Sequence, residues 1–137
     1  MKFEEIAKRT KALGFHIGEY ALFGSVPLAA HGIRESQDID VLVTHEVYQR
    51  LKSQGWEVEV FPNGREMLKK GCFEVGENWD YGVYNPNPAR LIKEADIIEG
   101  IPVVRLEEAL AWKKVFGREK DKNDVKLINK FLKNKQA

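Results

Sequence analysis

The sequence predicts an α/β (α+β) fold in which one mixed β-sheet is flanked by helices and the chain ends in a helical pair. Three patterns indicate this architecture. Short apolar segments of strand length alternate with amphipathic helical segments in the first half of the chain. Several short extended segments follow in the middle, and two long helical segments come last. The length of 137 residues suits a single domain over 1–137 with one hydrophobic core.

The first half of the chain carries the strands expected at the centre of the sheet. Its apolar residues first recur at helical spacing, and its two strand candidates are short apolar runs, each next to a glycine or an acidic pair. A threonine before the third helix is a suitable N-cap. The expected elements are, in order, helix Phe3–Leu13, strand Glu19–Phe23, a short helix from Ser25, strand Ile39–Val43 and a helix capped by Thr44.

The second half is predicted to add shorter strands and the helical pair. In Trp56–Phe61, side chains alternate so that Val58 and Val60 are expected to face the core and Glu57 and Glu59 the solvent. A proline in the last of the strand candidates suits the edge of a sheet. The further expected elements are a short helix Arg65–Lys70, strands Cys72–Val75 and Tyr81–Tyr84, helix Ala89–Glu94, strand Ile101–Val104, and helices Leu106–Phe116 and Lys120–Leu132.

Composition excludes some classes of protein. The 22 lysines and arginines nearly balance 21 acids, which argues against a dedicated duplex-DNA binder but leaves room for a local basic patch between Lys113 and Lys135. The single cysteine, Cys72, excludes an internal disulfide and fits a reducing cytoplasm. The first residues lack the apolar run of a secretory signal, and no run approaches the ~20 apolar residues of a membrane span. We therefore expect a cytoplasmic protein without a membrane partner.

Asp38 and Asp40 are the first candidates for chemistry, because they lie where an apolar strand begins. Residues two apart in a strand point to the same side of the sheet, so both carboxylates can be directed at one point. Two such charges repel each other unless a cation lies between them or one carboxyl group is protonated. Mg²⁺ is usually held by one or two carboxylates together with substrate phosphates. The pair therefore indicates a magnesium site, although an isolated Asp-x-Asp is more often a solvated strand end or a helix cap.

Gly24, Ser25 and Arg34 indicate a phosphate site beside these acids. A glycine has no side chain to obstruct a phosphate, and a serine hydroxyl adds a donor to the amides of a helix start. An arginine can make a two-pronged contact with a phosphate. The alternatives are an ordinary Gly-Ser turn and an arginine that only pairs with Glu35 or Asp38. The order of strand, Gly-Ser, helix, loop and acids entering an apolar strand favours the functional interpretation.

The segment from Ala21 to Val43, ALFGSVPLAAHGIRESQDIDVLV, resembles the opening motif of the nucleotidyltransferase (DNA polymerase β-like) superfamily. It is similar in particular to the compact bacterial and archaeal group that includes abortive-infection nucleotidyltransferase toxins and lincosamide nucleotidyltransferases. A later segment, LEEALAWKKVFGREKDKNDV, resembles that group's closing motif. The residues that match it are Lys113, Arg118, Lys120, Asp121 and Asp124.

The resemblance implies a nucleotidyltransferase fold and magnesium- or manganese-dependent transfer of a nucleoside monophosphate from a nucleoside triphosphate to an acceptor hydroxyl. Asp38 and Asp40 would hold the metal, Gly24 and Ser25 would contact the triphosphate, and Lys113 would be a phosphate or base contact. The alternative for Lys113 is an ordinary surface lysine. The acceptor is left open among RNA, a protein and a small molecule. Because the chain has little room beyond the catalytic core, a homodimer or a partner subunit would supply the missing wall of the site.

The resemblance also implies a third carboxylate on a later strand, as general base or shared metal ligand. Glu74 is the first choice, because it lies between apolar neighbours on a predicted strand. Glu57, Glu59 and Asp80 are the alternatives.

Two other functions remain open at this point. The same fold can serve as a catalytically weak or inactive nucleotide-binding, antitoxin-like partner, since Val26-Pro27 follows Gly-Ser where minimal nucleotidyltransferases carry an arginine soon afterwards. The lysine-rich C-terminal helices also suggest RNA binding. Glu119, Asp121 and Asp124 lie among those lysines and weaken that hypothesis.

Overall fold

The computed structural model describes residues 1–136 as six helices and seven strands. The helices and strands alternate in the first half, as expected. The elements are, in chain order, α1 (Phe3–Lys11), β1 (Tyr20–Phe23), α2 (Val26–Ala30), β2 (Ile39–Val43), α3 (His45–Ser53), β3 (Glu57–Val60), β4 (Glu66–Lys70), β5 (Phe73–Gly76), α4 (Pro88–Lys93), β6 (Asp96–Ile98), β7 (Ile101–Val103), α5 (Leu106–Phe116) and α6 (Glu119–Gln136).

All seven strands form one mixed sheet in the order β3-β4-β5-β2-β1-β7-β6. β2 lies at its centre, antiparallel to β1 and parallel to β5. β1 in turn runs parallel to β7, so the two apolar strands of the first half occupy the middle of the sheet. The predicted α/β class with a mixed sheet and a C-terminal helical pair is confirmed.

The core lies on both faces of the central strands, because successive side chains of a strand point to opposite faces. Tyr20 and Leu22 of β1 pack on one face with α1 and α3, whereas Ala21 and Phe23 pack on the other with α4 and α5. A smaller cluster joins α2, α5 and α6 through Leu28, Leu106 and Ile128. The C-terminal helical pair is thereby held against the short helix that follows β1.

The predicted helix at Arg65–Lys70 is wrong, because residues 66–70 form the strand β4. Its composition of Glu, Met, Leu and Lys favours a helix locally. Pairing with β3 on one side and β5 on the other overrides that preference, and Leu68 is buried between them. The strand predicted at Tyr81–Tyr84 is also wrong, since these two residues form only an isolated bridge around a tight turn.

The predictions for the two ends of the sheet are only partly confirmed. Ile101–Val103 is a strand but does not lie at the edge, because β6 pairs outside it through a two-residue turn in which Glu99 and Gly100 both have positive φ. β3 is the other edge. Its Val58 and Val60 are exposed, so the prediction that they face the core is wrong, whereas Glu57 is exposed as predicted.

Thr44 caps α3 as predicted, with its hydroxyl oxygen accepting from the Val47 amide. Within residues 1–136, no helix combines the length and the apolar character needed to cross a membrane.

Candidate functional site

A cleft of about 1140 Å³ lies at one end of the central strands. Segments far apart in the chain line it: the turn after β1, the loop into β2, the β3–β4 hairpin, β5, and the junction of α5 and α6. Every residue that the sequence analysis assigned to metal or nucleotide lines this cleft, namely Gly24, Ser25, Arg34, Asp38, Asp40, Glu74 and Lys113. The fold therefore brings the predicted site residues to one place.

Asp40 and Glu74 lie side by side on adjacent parallel strands. β2 and β5 pair with Asp40 directly opposite Glu74, and Ile39 opposite Phe73. Asp38 precedes β2 by one residue, is exposed, and also lines the cleft. Two strands and the loop that enters β2 thus supply three carboxylates to one end of the sheet.

The environment of Asp40 disfavours its charge. Burial, together with the negative charges of Glu74 and Asp38, raises the pKa of Asp40 to about 7. Its Oδ1 atom is inaccessible to solvent and has no hydrogen-bond partner within the described chain. A buried carboxylate oxygen without a partner is costly unless it is protonated or bound to a cation.

Gly24 is a glycine because of Asp40. Its φ of +64° is in the left-handed region, and a β-carbon added there would overlap Oδ2 of Asp40 and lie 2.9 Å from its Cγ. The antiparallel pairing of Phe23 with Asp40 brings the two positions together. The absence of a side chain at Gly24 therefore makes room for the Asp40 carboxylate. The Gly-Ser pattern alone predicted only room for a phosphate.

Arg34 is bound to Asp124 of α6 rather than to Glu35 or Asp38 side chains. Its Nε and Nη2 donate to the two carboxylate oxygens of Asp124 at 2.7 Å each, and Nη1 donates to the Glu35 carbonyl at 2.7 Å. Nη2 also donates to Ser25 Oγ at 2.9 Å. The guanidinium keeps one N–H free, because it carries five in all.

Lys113 is neither a surface lysine nor an open cation. Its side chain is 2% exposed and its Nζ lies 2.9 Å from Asp124 and 3.7 Å from Asp121. The same Nζ lies 3.4 Å from Ser25 Oγ. The alternative of an ordinary surface lysine is therefore wrong.

The sequence did not predict that Asp124 is the common partner of Arg34 and Lys113. Although burial opposes its ionisation, hydrogen bonds from Arg34 and Lys113 hold the pKa of Asp124 below its ordinary value. The sequence analysis matched it only to a closing motif, and its spacing from Arg34 of 90 residues gave no signal that the two would meet. Arg118, in the linker between α5 and α6, adds a second pair at 2.6 Å with Asp121 in the first turn of α6.

The alternatives to Glu74 lie on the edge strand β3 or in the loop after β5, and not on the strand that pairs with β2. Glu59 lines the cleft from β3 and pairs at 3.3 Å with Lys69, which also lies 3.5 Å from Glu74. Glu57 does not line the cleft, and Asp80 reaches it from the loop after β5. Glu74 is the one in register with Asp40.

In residues 1–136, no three acids, histidines or cysteines are gathered closely enough to hold a metal ion as they stand. The donor set nevertheless fits a divalent cation. It offers hard oxygen atoms, an unpartnered Oδ1 on Asp40 and mutual repulsion that a cation would relieve.

Comparison of the chain with models of protein families, with curated proteins and with solved structures found no match.

Proposed function

We propose that the protein has the nucleotidyltransferase fold and transfers a nucleoside monophosphate from a nucleoside triphosphate to an acceptor hydroxyl, using Mg²⁺ or Mn²⁺. One observation carries this proposal. Asp40 and Glu74, on two adjacent strands, and Asp38, just before the first of them, open onto the same cleft as Gly24 and Ser25. An acid cluster beside a serine and paired cations, in a cleft large enough for a nucleotide, suits phosphoryl-group chemistry.

The carboxylates of Asp38, Asp40 and Glu74 would hold the metal. When bound, a divalent cation would polarise the α-phosphate and offset the charge that develops on it. It would also relieve the repulsion that raises the pKa of Asp40.

The chain's own residues would bind the phosphates and move the proton. The acceptor oxygen attacks the α-phosphorus and forms a new P–O bond. The bond between the α-phosphorus and the oxygen that bridges the α- and β-phosphates breaks, and pyrophosphate leaves. Glu74, partly exposed in the cleft, takes the hydroxyl proton. Ser25 Oγ already accepts hydrogen bonds from Arg34 and Lys113, so its own hydrogen is free to be donated to a phosphate oxygen.

One observation favours the second candidate, a nucleotide-binding partner protein without catalysis. Arg34 and Lys113, the two cations expected to meet the triphosphate, are both committed to Asp124. Charges neutralised inside the protein stabilise a transition state less than free ones.

The test is transfer of α-labelled monophosphate from each of the four nucleoside triphosphates, with Mg²⁺ or Mn²⁺, to RNA, protein and small-molecule acceptors. We expect transfer by the wild type and a loss of about 100-fold or more in Asp40→Asn. Asp96→Asn is the matched control, because Asp96 lies on the opposite edge strand β6.

Melting temperatures measured on the same samples separate the two candidates. A magnesium-dependent rise with a triphosphate, lost in Asp40→Asn but without transfer to any acceptor, favours the inactive partner. A folded wild type that shows neither the rise nor transfer contradicts both.

A further inference from the structure

The outer face of α6 carries a continuous row of lysines. Lys122, Lys126, Lys130 and Lys133 are all exposed. At 100° per residue they fall within an arc of about 80°, opposite the side that buries Ile128. The chain contains no acid after Asp124.

Two of the three acids that weakened the RNA-binding hypothesis do not face this row. Asp121 and Asp124 are buried at 0% and 1% exposure and are paired with Arg118, Lys113 and Arg34. The remaining acid of the helix, Glu119, pairs with Lys122 at 3.6 Å. The surface is thus basic although the whole chain has a net charge of only +1.

The lysine row begins within one helical turn of the cleft. Lys120 and Asn123, in the first turns of α6, line the cleft together with Arg118. The row itself starts at Lys122, between these two residues in sequence, and runs about 16 Å along the helix to Lys133. A ligand lying along this row would have one end beside the cleft.

Exposed aromatic side chains stand at the same cleft. Phe61 and Tyr81 are 37% and 48% exposed, and both line it. Tyr81 packs on Phe116 with ring centroids 4.4 Å apart, next to the start of α6. A basic track combined with exposed rings is the usual arrangement for binding a single nucleic-acid strand, whose phosphates meet the lysines and whose bases stack on the rings.

We propose that the lysine face of α6 binds the backbone of a single-stranded RNA, and that this RNA is the acceptor. This inference rests on the proposed function, and it names the acceptor class. The 3′-terminal hydroxyl enters the cleft, its oxygen bonds to the α-phosphorus of the triphosphate, pyrophosphate leaves, and the proton passes to Glu74. The RNA is thereby extended by one nucleotide.

The first part of the test is binding without triphosphate. A 5′-fluorescent 20-nucleotide RNA is titrated with the full chain between 50 and 200 mM salt. We compare the wild type with K126Q/K130Q/K133Q and with the matched control K8Q/K11Q/K93Q, which removes three exposed lysines from α1 and α4. Circular dichroism shows that each variant is folded.

The expected result is a loss of about 10-fold or more in affinity for the α6 variant alone. Its slope of log affinity against log salt should be shallower by about 2, since each lost phosphate contact removes about 0.7. Equal affinity of the α6 variant and the wild type, or tighter binding of the same RNA as a duplex, would overturn the proposal.

The second part is transfer to RNA with a free or a dideoxy 3′ end. Extension of the free end alone supports the proposal. If the wild type labels a protein or a small molecule and neither binds nor extends RNA, the RNA proposal fails and the proposed function stands. If the wild type binds RNA through α6 but transfers nothing, the proposed function fails and with it the acceptor role of the RNA.

Discussion

Gly24 lies so close to the Asp40 carboxylate that no residue with a β-carbon fits at position 24 without moving Asp40. Gly24 leaves the space that Asp40 occupies, and Asp40 then lies against Glu74 with one oxygen unpartnered. A carboxylate in such a position costs stability while it is charged and uncompensated. Binding of a cation, as proposed, would offset that cost.

Gly24→Ala should destabilise the fold and remove nucleotide binding together. Gly32→Ala is a matched control, because Gly32 has φ +70° but no atom within 4 Å of an added β-carbon. The control isolates the strain of a left-handed alanine, about 1 kcal/mol. Thermal melts with and without Mg²⁺ and triphosphate measure both effects. Equal melting temperatures and equal nucleotide shifts for the two variants would contradict the contact with Asp40.

Asp40 should make stability depend on pH in a direction opposite to most carboxyl groups. Its pKa rises from 3.8 to about 7 on folding, so the folded state binds the proton more tightly than the unfolded state. Stability is therefore lost as pH increases from about 4 through 7. Asp40→Asn removes that loss.

Urea titrations in EDTA at pH 5 and pH 8 test this pH dependence. The stabilisation of Asp40→Asn relative to the wild type should be greater at pH 8, by about 2 kcal/mol. Mg²⁺ should reduce the difference at pH 8. A difference independent of pH would show that the pKa of Asp40 is not raised.

At the level of secondary-structure elements, an ion-pair network joins the two C-terminal helices to the loop between α2 and β2. Asp124 of α6 holds Lys113 of α5 and Arg34 of the α2–β2 loop, and both cations touch Ser25. Since α6 otherwise meets the rest of the protein through a small apolar cluster, these pairs orient the helix against the cleft. The same ion pairs fix the rotation of α6 about its own axis, and so the direction in which its lysine face points.

Asp124→Asn should cost about 3 kcal/mol of unfolding free energy, because it leaves Lys113 buried without its nearest partner. Urea denaturation measures the change. Glu119→Gln, on the same helix but 93% exposed, should change stability by less than about 1 kcal/mol. Comparable urea midpoints for the two variants would mean that the network contributes little to folding.

Across the whole molecule, the cleft exists only because distant segments converge. The parallel pairing of β2 with β5 brings Glu74 to Asp40, and the packing of α5 and α6 on α2 closes the other wall. Arg118 and Lys120, at the start of α6, and the acidic end of the sheet consequently open onto one space. That arrangement suits the proposed reaction, in which a polyanion must reach a centre that holds carboxylates.

The sequence by itself determined the local features. Helical and alternating periodicity located most of the elements, and the Asp-x-Asp pattern drew attention to two carboxylates at the start of β2, because these patterns depend on neighbours along the chain.

Only the tertiary structure decided which distant residues meet. It made residues 66–70 a strand by pairing them on both sides, selected Glu74 through the β2–β5 register, and buried Lys113 against Asp124. Strand register and buried ion pairs arise from packing between segments that are remote in sequence, and local propensity carries no information about them.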